Sequence, residues 1–235
     1  MSHKIFITGG SGLLGSNLIK ELKLRNISYA APGSSECNIL NYDELESSIV
    51  NSKADIVIHC AAIAKFAEVE KDPIKSLDVN VTGTVNVAKA CMKHNIRLVF
   101  ISTSHVFDGK QGMYKTTDQV NPISRYAKMK VADEYIVSTL ENSLSIRTEF
   151  CGLDFPFDTA YIDKWSSKDY VDNIAPKIVD ASLSDKTGIC HVAGNRKSFY
   201  EFALERNQNV KPGSIQEVQS ISNIPILIDT SLSFE

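Results

Sequence analysis

The stretch Thr8-Gly9-Gly10-Ser11-Gly12-Leu13-Leu14-Gly15 constrains what this chain can fold into more than any other feature. Glycines at 9, 12 and 15 stand between an apolar run, Ile5-Phe6-Ile7, and a segment in which Leu14, Leu18 and Leu22 recur at every fourth residue. The run reads as a short buried strand, and the leucines as the core stripe of a helix from about Gly12 to Arg25. In such a turn the first glycine permits the tight bend. The middle one lets a phosphate approach the backbone, and the third lets helix and strand pack closely. The helix N-terminus then presents free N–H groups and its positive dipole end to an anion. Flexible loops also produce glycine triplets by chance. Here the strand before and the amphipathic helix after are both present, so the loop reads as a dinucleotide-binding turn.

Strands and helices go on alternating. Ile27 to Ala31 predicts a second strand, and Asn41 to Val50 a helix capped by Asn41 with Asp43 and Glu44 in its first turn. Asp55 to Cys60 predicts a third strand. Pro73 opens a long helix to about His94, with Ile74, Leu77, Val81 and Val85 expected toward the core. Arg97 to Ser102 predicts a strand, Tyr126 to Glu141 a helix and Leu144 to Thr148 a strand. This is the α/β pattern of a doubly wound parallel sheet (Rossmann), whose ligands lie at the carboxyl ends of the strands.

After Cys151 the pattern weakens to a helix over 169–181, a strand over 189–192 and a helix over 198–206. The last thirty residues carry Pro212, Gly213 and Pro225 and no strong period. The expected division is therefore 1-150 as a dinucleotide-binding Rossmann domain and 151-235 as a reduced, small C-terminal substrate-capping region, not an independent domain.

A length of 235 residues suits one large domain, and 43% hydrophobic with 23% charged residues is an ordinary globular mixture. A net charge of -3 without a basic cluster argues against a nucleic-acid partner. The five cysteines (Cys37, Cys60, Cys91, Cys151, Cys190) are scattered and mostly sit in apolar runs, which reads as reduced thiols rather than a disulfide frame. No metal site is expected. No stretch reaches the ~20 apolar residues of a membrane span, and no apolar leader precedes the first strand. The expectation is a cytoplasmic protein with no membrane partner.

A second constellation lies downstream. Tyr126 and Lys130 are spaced to share one helix face, one turn apart, and follow a strand ending in Ser102-Thr103. A free phenol has a pKa near ~10, and a nearby ammonium favours the phenolate, so the pair suits proton exchange with a developing alkoxide. Hydroxyls at the strand end can bond the same substrate oxygen. The plain alternative is a surface Tyr-Lys pair on a solvated helix.

The loop after the second strand bears on the choice of cofactor. It reads Ala30-Ala31-Pro32-Gly33-Ser34-Ser35, with no acid before Glu36. A ribose 2′-phosphate meets no like charge there, and Ser34 and Ser35 can donate to it. NADP(H) is favoured, with NAD(H) kept as the second choice. Asn38 and Ile39 are placed near the adenine, or else simply pack the next loop.

Taken together, the glycine turn and the Tyr-Lys helix make the chain resemble the extended short-chain dehydrogenase/reductase family, most closely its dTDP-4-dehydrorhamnose reductase branch. The resemblance rests on the glycine turn from Thr8 to Gly15, His59-Cys60-Ala61-Ala62, Val79-Asn80, Ser102 to Gly109, Tyr126 with Lys130, and Ile146-Arg147-Thr148. It continues in Tyr170 to Ala175 and Gly188 to Gly194. It implies Thr103, Tyr126 and Lys130 as catalytic residues, with Lys130 also holding the nicotinamide ribose. It further implies Gly9, Ser11, Gly12, Leu13, Leu14, Gly15, Ser34, Ser35, Asn38, Ile39, Cys60, Ala61, Ala62, Asn80, Ser102, Tyr126 and Lys130 around the cofactor. Ser104, His105 and Arg147 fall on the substrate side. The implied reaction carries a hydride to C4 of a nucleotide-linked 4-keto-6-deoxy sugar while Tyr126 protonates O4.

Three departures from the family pattern concern the sugar side. Ser104-His105 replaces the usual Asp-Tyr, and His105 reads either as a substitute hydrogen-bonder or as a satisfied structural histidine. Met129 replaces a small hydroxyl residue, and the Arg147–Tyr170 connection is short. Alternatives that stay open are an epimerase or dehydratase on the same scaffold and a non-catalytic NADP-binding regulatory subunit. A homodimer is the assembly considered.

Overall fold

Side-chain alternation along the first strand, β1 (Lys4–Thr8), decides the layering. Ile5 and Ile7 enter one core cluster and Phe6 the other, because successive residues of a strand point to opposite faces. A parallel sheet has to be covered on both sides, and here it is. The molecule is described by a computed structural model over residues 3–219 and 226–234.

The chain continues through α1 (Leu13–Leu24), β2 (Ser28–Ala30), α2 (Tyr42–Ser52), β3 (Ile56–His59), α3 (Phe66–Lys71) and α4 (Pro73–Leu77). A π-helical turn at Asp78–Thr82 joins α4 to α5 (Gly83–His94), and β4 (Arg97–Thr103) comes next. A 3-10 turn at Ser104–Val106 leads toward α6 (Arg125–Val137) and β5 (Ser143–Thr148). Short strands β6 (Phe150–Cys151), β7 (Thr159–Tyr161), β8 (Trp165–Ser166) and β9 (Asp169–Tyr170) precede α7 (Val171–Leu183) and β10 (Gly188–His191). Then come β11 (Lys197–Ser198), α8 (Phe199–Leu204), β12 (Lys211–Gly213) and α9 (Ile215–Gln219).

Six parallel strands form the main sheet in the order β2-β1-β3-β4-β5-β10. From β1 the chain first moves to β2 on one side, then crosses to β3 on the other. The crevice at the carboxyl ends of β1 and β3 is therefore the topological switch point. On one face Leu14, Leu18 and Leu22 of α1 join Ile174 and Ile178 of α7 over the sheet. On the other, Leu45 and Ile49 of α2, Val87 and Cys91 of α5 and Val137 of α6 pack against Phe6, Val57 and Phe100. Asn41 caps α2 as expected, its side chain accepting from the Glu44 amide at 3.3 Å.

The structure corrects two expectations. Residue 150 is not the edge of the Rossmann unit, because β10 extends the main sheet beside β5, with Cys190 opposite Ile146. Helix α7 shares the α1 layer, where Arg25 pairs with Asp180. The helix expected from Pro73 to His94 is interrupted by the π turn, whose extra residue rotates α5 relative to α4. Ile74 and Leu77, expected inside, are 75% and 50% exposed. Thr84, Val87, Ala88 and Cys91 take the inward face instead.

What remains after β5 builds the cap. Three small strand pairs, β6-β9, β7-β12 and β8-β11, surround a minor core of Ala160, Ala203 and Val210. Residues 226–234 run back under it: the Asp229 amide donates to the Gly109 carbonyl at 2.8 Å, and Leu232 packs with Phe107 and Tyr114. Among the described residues no helix is long and apolar enough to cross a membrane.

Candidate active site

Gly9 has φ +71, and a Cβ there would lie 2.7 Å from the Ala61 nitrogen. The ends of β1 and β3 touch only because that side chain is missing. At Gly15 a Cβ would fall far inside contact with the Gly9 carbonyl oxygen, so the first turn of α1 seats on the loop for the same reason. Gly12 stands at the N-cap with extended backbone and no side-chain cap. The first-turn amides of α1 thus lack the side-chain partner that most helix starts have, which leaves them for an anionic group. Ser11 and Leu13 are exposed at this end, whereas the Leu14 side chain belongs to the core.

Beside it, the loop after β2 leaves Ser34 and Ser35 exposed. Glu36 folds back on its own turn and accepts from the Gly33 amide at 2.9 Å. Asn38 is exposed, its side chain accepting from the Leu40 amide at 3.0 Å. Ile39 is buried, filling the space left by the absent Gly83 side chain.

A directed chain of hydrogen bonds ties β1, β3 and the π turn together. The Thr84 hydroxyl gives its proton to the Asn80 carbonyl at 2.5 Å and must accept from His59 Nε2, 3.1 Å away. His59 Nδ1 then accepts from the Thr8 hydroxyl at 2.6 Å, and Thr8 accepts from the Ala61 amide at 3.4 Å. Burial, helped by the Lys130 charge, pushes His59 down to about 3, so the ring is neutral and this tautomer is fixed. Cys60 stays a thiol, pushed up to about 12 by burial. Asn80 is buried and bonds the backbone of Ile63: its Oδ1 accepts from the Ile63 amide at 2.7 Å and its Nδ2 donates to the Ile63 carbonyl at 3.0 Å. It holds the Ala61–Ala62 wall through Ile63.

Tyr126 and Lys130 share a face of α6, which begins at a Ser124 cap. The Lys130 ammonium donates to the Ile101 carbonyl at 2.9 Å and lies 4.4 Å from the Phe100 ring centroid and 5.9 Å from that of Tyr126. Contrary to the expected depression, the phenol is pushed up, by burial first and by the Asp133 charge second. Lys130 is pushed down by burial, with Asp133, Cys60 and Glu134 opposing. Thr103 is buried and its hydroxyl accepts from the His105 amide at 3.2 Å.

Two expected ligand contacts turn inward instead. The Ser102 hydroxyl donates to Glu134 at 2.5 Å, and Arg147 grips the same carboxylate through Nε at 3.0 Å and Nη2 at 2.8 Å. With side-chain exposures of 3% and 7%, Arg147 and Glu134 form an internal ion pair that welds β5 to α6. In this arrangement the Arg147 guanidinium and the Ser102 hydroxyl are both committed to Glu134.

The sequence reading missed Glu149. One residue beyond β5, with its side chain 10% exposed, it accepts from the hydroxyls of Ser104 at 2.8 Å and Thr230 at 3.0 Å, and pairs with Lys168 at 3.1 Å. His105, 41% exposed, stands 3.8 Å off. Burial alone would raise this carboxyl, but Lys168, His105 and Ser104 hold it well below the usual range. An acid at the carboxyl end of an inner strand was the available signal. Lys168 also lines a cavity of about 770 Å³ with Cys151, Phe155, Phe157, Tyr161 and Phe199. Neither it nor the smaller cavities of about 370 and 240 Å³ around His191 and Phe234 is lined by a residue of the glycine loop or of the Tyr126–Lys130 pair.

A parallel sheet with a glycine turn at its switch point and a Tyr-Lys helix beside it is a Rossmann-like fold of the extended short-chain dehydrogenase/reductase type. The chain belongs to the family described as the RmlD substrate binding domain, whose sequence pattern matches residues 3–151. It is 36% identical over 151 residues to the dTDP-4-dehydrorhamnose reductase of Aggregatibacter actinomycetemcomitans, covering 63% of this chain and 51% of that one. It is 31% identical over 150 residues to methionine adenosyltransferase 2 subunit beta of Bos taurus, covering 61% and 44%. The chain spans about half the length of the curated relatives it matches. In three dimensions it resembles the crystal structure of dTDP-4-dehydrorhamnose reductase from Bacillus anthracis in complex with NADP. The TM-score is 0.87 at 25% identity, with 100% of this chain and 92% of that one covered.

Proposed function

We propose that this chain is an NADP(H)-dependent reductase of a nucleotide-linked 4-keto-6-deoxy sugar. The observation that carries the reading is the Tyr126–Lys130 pair on α6, its lysine buried and its tyrosine half-buried, set at the carboxyl end of β4 beside a glycine cradle that a Cβ would fill. Bound at the Gly9–Gly15 turn, the nicotinamide cofactor supplies the hydride. Gly9, Gly12 and the uncapped start of α1 hold its phosphates, and Ala61 and Ala62 wall the groove. Tyr126 delivers a proton to the emerging O4, and the Thr103 hydroxyl keeps that oxygen in line. The Tyr126 phenol, pushed up by burial, is in its acid form at neutral pH, the species that reduction of a ketone requires. The aromatic cavity suits the nucleotide end of the substrate, with bases stacking on phenyl rings and Lys168 meeting negative charge.

The likeness to methionine adenosyltransferase 2 subunit beta favours a second reading, a regulatory chain that binds the nucleotide without turning a sugar over. One experiment separates the two: a turnover screen of nucleotide-linked 4-keto sugars, following NADPH and NADH absorbance, alongside direct cofactor titration. Oxidation of NADPH on one of these sugars supports the reductase. Tight cofactor binding with no turnover on any of them overturns it in favour of the regulator.

A further inference from the structure

Asp133 takes no part in the hydride and proton transfers. It is 0% exposed, and among the described residues neither carboxylate oxygen has a hydrogen-bond partner. Burying such a group without donors is costly, so its position calls for an electrostatic reason. It lies three residues beyond Lys130 and seven beyond Tyr126 on α6, spacings that put all three along one helix face.

The Lys130 ammonium is buried as well, solvated by the Ile101 carbonyl and the Phe100 and Tyr126 rings. Those partners stabilise a cation without neutralising it. The groups around Asp133 and Lys130 come from three elements. The end of β3 brings His59, neutral, and Cys60, a protonated thiol. From α5 comes the Thr84 hydroxyl, which acts on Asp133 but gives its proton to the Asn80 carbonyl. Helix α6 itself brings Glu134, already neutralised by Arg147. Glu134 shares its charge with Arg147 and Cys60 carries none as a thiol, so Asp133 comes first among the groups opposing proton loss from Lys130.

We propose that Asp133 is a positioning residue of the Tyr126–Lys130 pair, its carboxylate being the counter-charge of the buried Lys130 ammonium. The inference rests on the reading of Tyr126 as proton donor. Burial pushes the Asp133 carboxyl up to about 7, against the opposing pull of Lys130. As the pH climbs through that value Asp133 ionises. The new charge makes proton loss harder for Lys130 and for Tyr126 alike. The site thus keeps its acid protonated further into the alkaline range than burial of Lys130 alone would allow.

The test is a titration of Lys130 by NMR on the full chain with isotope-labelled lysine, the resonance assigned by its loss in Lys130→Met. In Asp133→Asn, Lys130 is expected to lose its proton at least about one pH unit lower than in the parent, the size of effect an opposite charge about one helical turn away produces. The alkaline limb of kcat/KM moves the same way. Asp133→Glu, which keeps the charge, returns both toward the parent. If Asp133→Asn does not fold, Asp133→Ala carries the same comparison. An unchanged Lys130 titration accompanied only by a shifted melting temperature overturns the proposal and leaves Asp133 a structural residue. Lack of turnover in the parent would sink the reductase reading while leaving the titration readable.

Discussion

Replacing Arg147 by Met tests the most consequential rearrangement of the expected site. In the structure the guanidinium bonds Glu134 twice, at 3.0 and 2.8 Å, and reaches the Thr116 carbonyl at 3.3 Å. Arg147→Met leaves Glu134 as a buried carboxylate whose remaining donor is the Ser102 hydroxyl. Breaking a buried pair from one side costs about 3–5 kcal/mol, because the surviving charge is left uncompensated. For a chain of this size each kcal/mol lowers the Tm by roughly 2–4 °C, so the variant should melt about 6–20 °C below the parent. Removing both charges in Arg147→Met/Glu134→Met should recover most of the loss, since an apolar pair of similar volume is often close to neutral. About 1 kcal/mol of deficit should persist from the Ser102 hydroxyl, which loses its acceptor. Urea unfolding at constant m-value measures these differences, with substrate KM determined alongside. A single variant with the parent's midpoint and a raised KM would refute the ion-pair account and return Arg147 to the substrate. A double variant as unstable as the single one would refute the pairing.

Tyr126→Phe should keep the fold and cofactor affinity while lowering turnover ~10²–10⁴-fold, the usual share of a general acid; near-normal reduction by this variant would end that assignment. Gly15→Ala places a methyl against the Gly9 carbonyl and should weaken NADPH binding by displacing the start of α1, which an unchanged Kd by fluorescence titration would contradict. Asp133 is protonated more readily in the folded state (about 7) than at its ordinary 3.8, so stability should fall as the pH rises through that window, by roughly 4 kcal/mol in full. Asp133→Asn escapes this decline, and its Tm relative to the parent should improve between about pH 4 and about pH 7, the two ends of that window; an equal offset at both would be against it. Ala31→Asp, at a position whose Cβ would meet one built on Gly10 at 2.9 Å, should turn a preference for NADPH toward NADH, by repelling a 2′-phosphate. A parent that already prefers NADH would show that the loop after β2 has been misread.

Much of the fold was legible because it rests on short-range rules. Three glycines between an apolar run and a four-residue leucine stripe mark β1, the turn and α1 without knowledge of anything distant. The same holds for the Asn41 cap and for Tyr126 and Lys130, whose common face comes from helical spacing alone. Sequence also foresaw the doubly wound sheet, since alternating strands and helices admit few other arrangements.

Partner choice among polar groups was not legible, because it depends on which elements become neighbours. Arg147 looked like a ligand contact at a strand end, yet α6 packs beside β5 and presents Glu134 to it. Glu149 finds its partners at Ser104, Lys168 and Thr230, the last of them 81 residues away on a tail with no period of its own. The π turn moved Ile74 and Leu77 out of the core by one residue's rotation, a shift that spacing counted along an ideal helix cannot register. Local periodicity thus set the elements and the two motifs. Burial and long-range packing decided which charges are neutralised inside, which stay at the groove, and how firmly each holds its proton.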